Sequence, residues 1–72
     1  RGAEAIESYR RAVALAPLNA GLRYNLGAAL LEAGRSEEAT QELGEAVRLD
    51  PDYAPAHTLY DAARNPAPAR GN

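Results

Sequence analysis

The apolar positions of this chain recur with a helical period almost from end to end. Ala5, Tyr9, Ala12 and Ala16 follow at spacings of 4, 3 and 4, with Ile6 and Val13 beside them. Leu22, Leu26, Ala29, Leu30 and Ala33 form a second stripe. Ala39, Leu43, Ala46 and Val47 form a third, and Ala56, Tyr60 and Ala63 a shorter fourth. A helical period puts each set on one helix face, whereas a half-buried strand would alternate at every second residue. The breaks between stripes have chemical causes. Pro17 and Pro51 cannot continue a helix and disfavour helical backbone just before them. Gly34 follows the second stripe, where helices commonly end on a left-handed residue. Ser36 and Asp52 are expected to cap the third and fourth helices, with Glu37 and Glu38 in a positively polarised first turn and Pro55 in a turn that tolerates it. The pattern predicts an all-α fold over residues 1–64, with helices near 3–15, 20–33, 36–49 and 53–64. Residues 65–72 carry two prolines and no apolar period, and read as a tail or linker.

The stripes also repeat. Sliding the sequence on itself until Glu4 meets Glu38 also aligns Val13 with Val47, Leu15 with Leu49 and Pro17 with Pro51, without gaps. Several alanines align as well, among them Ala5 with Ala39 and Ala12 with Ala46, although matches of this kind carry less weight in an alanine-rich chain. A fixed period of this length is the signature of stacked helical units.

The repeat resembles the tetratricopeptide repeat family, whose helix–turn–helix unit is about 34 residues long. The resemblance rests on Leu26-Gly27, Leu30, Gly34, Ala39, Leu43, Ala46 and Pro51 in one unit from Ala20 to Tyr53, and on a second, partial copy in register. It covers roughly residues 1–63. Arg23 departs from it, since the family usually carries Trp or another large apolar residue there. The resemblance implies one full repeat flanked by two half repeats. Residues 1–19 match only a second helix, so Ala5, Tyr9 and Ala12 would face a first helix that this chain lacks. Residues 54–64 match only a first helix, with Asp61 in place of Gly27 and Arg64 in place of Leu30. Charges at those places are incompatible with a packed following helix, so the last helix is expected to act as a solvating cap. Gly within a helix costs about 1 kcal/mol relative to Ala, which points to a packing role for Gly27, expected to face Ala39.

In this family the first helices line a concave groove that holds peptide segments. The resemblance places that groove at Gly21, Tyr24, Asn25, Ala28, Leu31 and Glu32. The last helix would add Pro55, Thr58, Leu59 and Ala62. Some members use Asn at the position of Asn25 to hold peptide backbone, because an amide donates and accepts at once. The alternative is that Asn25 is a common family residue without a ligand. The family's clamp for terminal carboxylates needs cations and amides where this chain has Tyr24, Ala28, Thr58 and Ala62. At the other end, Ile6, Tyr9 and Val13 form an apolar stripe with nothing assigned to cover it. Such a stripe normally marks an interaction surface, so a self-association site is expected there.

Composition narrows the chemistry. The 72 residues include no Cys, Met, Trp or Phe and a single His, His57. Without Cys, and with one His lacking partners, neither a thiolate nor a zinc site is expected, and no cofactor is assigned. His57 is expected to pack structurally. Ser8 and Ser36 sit in no nucleophile setting. The acidic run Glu37, Glu38, Glu42 and Glu45 reads as a solvated face, and Glu7 pairs with Arg11 at helical spacing. A net charge of −2 and the lack of long apolar runs give no reason to expect nucleic-acid or membrane binding. The chain is expected to be a non-catalytic module that binds a peptide or protein surface, cytoplasmic by default, and a piece of something longer, since it opens on Arg1 rather than Met. The alternatives are a self-association element forming a homo-oligomer, or the recruiting arm of a larger repeat-bearing transferase.

Overall fold

The computed structural model describes residues 2–65. They form four α-helices: α1 Gly2–Leu15, α2 Ala20–Glu32, α3 Ser36–Leu49 and α4 Ala54–Arg64. No strand occurs among the described residues. The tail expected over 65–72 lies outside them except for Asn65, whose N–H donates to the Asp61 carbonyl at the end of α4.

The ends of the helices depart from the expected caps. Asn19 caps α2, its side-chain oxygen accepting from the Leu22 N–H at 3.0 Å. Ser36 does not cap α3. It is the first helical residue, Arg35 takes the cap position, and no side chain caps the helix. The cause lies just upstream. Gly34 adopts φ 80°, the Arg35 N–H returns to the Leu30 carbonyl at 2.9 Å, and the Gly34 N–H returns to Leu31 at 3.0 Å. This Schellman closure reverses the chain so tightly that α3 starts at once. Asp52 does not cap α4 either. Tyr53 holds that position without a side-chain bond, while the Asp52 N–H donates to the Asp50 carboxylate at 3.3 Å.

Helices joined by such short turns fold back on their neighbours. Thus α1 packs on α2, α2 on α3 and α3 on α4, with a lighter contact between α2 and α4. The core is thin. Its fully buried large side chains are Leu26, Leu30 and Leu43, with Ala39, Ala46 and Ala56 filling the close approaches. Burying a leucine contributes about 1.5–3 kcal/mol, so three of them carry much of the stability of a domain this size. Gly27 is a packing glycine, and the side-chain atoms nearest to it belong to Leu43. A Cβ at Gly27 would lie 2.5 Å from Leu43 Cγ. Ala33, expected in the second stripe, is exposed at the end of α2.

Ile6 and Val13 are not the open stripe that the sequence predicts. They are 5% and 8% exposed and belong to the same core as Leu26 and Leu30. The expectation treats one helix face as a single surface. The stripe instead divides, with Ile6 and Val13 turned into this chain's own core and Ala5, Tyr9 and Ala12 left half-buried.

Candidate binding surface

Five of the expected groove residues come together, four of them on α2. Asn25, Ala28, Leu31 and Glu32 of α2 line a hollow of about 460 Å³, a size in the range of small ligand sites. Ala29 completes the side formed by α2. The repeat explains the geometry. First helices lie side by side, so Leu59 of α4, the equivalent of Asn25 one repeat later, lines the same hollow. Ala5 and Tyr9 of α1 form the opposite wall. Two residues assigned to a self-association stripe and to a missing partner helix therefore border the groove itself.

Tyr24 and Thr58 are not in the lining. The Tyr24 ring meets Tyr53 edge to face, centroids 5.4 Å apart, which ties α2 to the start of α4. Thr58 is exposed on α4. Ala28, Leu31 and Leu59 are among the apolar residues of the lining. Asn25 supplies an amide, Tyr9 a phenol and Glu32 a carboxylate. No side-chain oxygen or nitrogen is buried without a partner among the described residues, so these polar groups remain open to water. The sequence places Leu59 in the groove but carries no signal for Ala5 and Tyr9, whose approach depends on how α1 crosses α2. Nor does its periodicity single out Leu15 and Leu18, which are 87% and 76% exposed at the α1–α2 turn.

The charges around the hollow are mostly spent elsewhere. Arg23, the departure from the repeat pattern, takes a structural role. Its Nη1 meets the Glu42 carboxylate at 3.0 Å with both side chains 20% exposed, and its Nε donates to the Pro17 carbonyl at 2.9 Å. One repeat later, His57 Nε2 meets the Pro51 carbonyl in the same way. The helix thus latches to its preceding proline twice with different side chains, and His57 is occupied by the fold. Of the acidic run on α3, Glu38 pairs with Arg10 and Arg35, Glu42 with Arg23 and Glu45 with Arg48. The Arg35 hydrogen bond holds the Glu38 carboxyl below its usual range, and Arg48 does the same to Glu45. No cluster of three or more His, Asp or Glu that could hold a metal occurs among the described residues.

The tetratricopeptide repeat family model matches residues 1–63. The chain belongs to the tetratricopeptide repeat family. Tetratricopeptide repeats generally mediate protein–protein interaction. It is 54% identical over 55 residues to the TPR repeat-containing thioredoxin TTL4 of Arabidopsis thaliana, covering 76% of this chain and 8% of that protein. It is 48% identical over 54 residues to the inactive TPR repeat-containing thioredoxin TTL3 of the same plant, covering 75% of this chain and 8% of that protein. The chain therefore spans about 8% of the length of these two relatives. No solved structure gives a significant match. No described helix is long and apolar enough to cross a membrane.

Proposed function

We propose that this tetratricopeptide segment is a non-catalytic module that binds an extended peptide segment in the hollow between α1, α2 and α4. The observation that carries the reading is the hollow itself. Asn25 and Leu59, one repeat apart, present an amide and an apolar side chain to one cavity of about 460 Å³. Apolar side chains of a ligand would rest on Leu31 and Leu59, and the Asn25 amide would pair with ligand backbone. A library of short random peptides displayed on phage and selected on the purified chain tests it. The selected clones should bind Asn25→Ala and Leu59→Asp much more weakly than the parent, while circular dichroism reports unchanged helix. Clones that bind these variants equally would overturn the reading.

A second reading has its own observation. Ala39, Leu43 and Ala46 of α3 are fully buried, whereas their repeat equivalents Ala5, Tyr9 and Ala12 on α1 are only half-buried. In this reading a second copy covers that wall. Sedimentation would then show concentration-dependent association that Tyr9→Glu abolishes, and a monomer at all concentrations would discard it. The relatives' printed names place thioredoxin, rather than a transferase, beside tetratricopeptide repeats. Recruitment for an enzyme on the same longer chain is the corresponding role for a module of this kind.

A further inference from the structure

Every arginine among the described residues has a carboxylate within salt-bridge distance. Arg10 and Arg35 share Glu38, Arg11 has Glu7, and Arg23 has Glu42. Arg48 has Glu45, and Arg64 has Asp61. The hollow borders none of these cations. Its one charged lining residue is Glu32, which is exposed and makes no ion pair among the described residues. The charge that the fold leaves unspent at this surface is negative, and it shares the lining with Ala28, Leu31 and Leu59.

We propose that the segment bound in the hollow is basic, seating an apolar side chain on Leu31 and Leu59 with an Arg or Lys beside it against Glu32. This rests on the groove reading above and names its partner by chemistry. An acidic segment or a free terminal carboxylate would meet Glu32 with no cation in the lining to offset the repulsion, which is how charge selects partners at an interface rim. A guanidinium or ammonium would find a carboxylate that gives up no internal pair to receive it. Such a rim contact adds modest affinity and is screened by salt.

The phage selection, with the recovered peptides synthesised and measured by fluorescence anisotropy, decides the matter. The expected peptides carry an apolar residue within a few positions of Arg or Lys. Glu32→Gln should weaken them about 2–5-fold and flatten their salt dependence, and Glu32→Arg should weaken them further. Circular dichroism checks that the variants fold, which is expected because Glu32 is exposed at the last helical residue of α2. Peptides that need Asn25 and Leu59 but are acidic or neutral, or that ignore both Glu32 variants, would overturn this proposal and leave the groove reading standing. Peptides indifferent to Asn25, Leu59 and Glu32 alike would overturn both.

Discussion

Helices α2 and α4 occupy equivalent places in successive repeats and live in different surroundings. On α2, Gly27 lets Leu43 approach to where a Cβ would stand, and Leu30 is fully buried. On α4 the same two places hold Asp61 and Arg64, which pair with each other at 3.6 Å and stay exposed, while the Arg64 guanidinium lies 4.8 Å from the centre of the Tyr60 ring. The face of α4 that packs on α3 is built differently. Ala56 and Ala63 are buried there, and Gly44 makes room for Tyr60, whose Cε1 would lie 3.2 Å from an added Cβ. One helix is therefore covered on the face that its counterpart gives to solvent. A repeat keeps its backbone while single positions decide whether another helix can follow.

The comparison breaks most sharply if α2 is given the residue of α4. Gly27→Asp would force a Cβ against Leu43 and bury a carboxylate without a partner, and is expected to cost roughly 3 kcal/mol or more, enough to unfold so thin a core. Gly27→Leu should lower the melting temperature by several degrees through overpacking, typically about 1–3 kcal/mol. Thermal unfolding followed by circular dichroism reads both. An unchanged melting temperature would mean that α2 and α3 do not meet at this point.

The second test compares α3 with its equivalent α1. Leu43→Ala should cost about 2–5 kcal/mol, the usual range for a fully buried leucine. Tyr9→Ala, at the matching position of a half-buried wall, should cost clearly less. Equal losses in denaturant titrations would mean that Tyr9 is as enclosed as Leu43.

Two polar positions on α2 and α4 give a smaller difference. Arg23→Ala removes a half-sheltered ion pair and a bond to Pro17 and should cost about 1 kcal/mol. Asp61→Ala, at the exposed counterpart of Gly27, should stay within about 0.5 kcal/mol of the parent. A large loss there would contradict an open face on α4.

The smallest effect is pH dependence. Glu38 and Glu45 are held below the ordinary value of 4.5 by Arg35 and Arg48. A depressed carboxylate contributes stability above its unfolded value and loses it as pH falls through the folded value. Stability should therefore be level near neutrality and decline below about pH 4.5, with a shallower decline in Glu38→Gln and Glu45→Gln. Melting temperatures followed from neutral to acidic pH check the slope.

The class of this protein is legible in the order of its residues. The spacing of its apolar positions requires helices, prolines and Gly34 interrupt them, and the echo of one unit in the next requires stacked pairs, because each of these signals is local or periodic along the chain. The charged residues Asp61 and Arg64 likewise announce a face that cannot be buried, since desolvating a lone charge is costly in any fold. Other features depend on how the helices meet in space. Which face of α1 is covered depends on its crossing of α2, so Ile6 and Val13 entered the core while Tyr9 turned to the hollow. The close fit of Leu43 against Gly27 depends on the relative sliding of two helices. Capping moved from Ser36 to a bare backbone because Gly34 closed the preceding helix so tightly. The hollow that joins Tyr9, Asn25 and Leu59 draws on three helices separated in sequence, and no spacing within a single helix encodes how three helices meet.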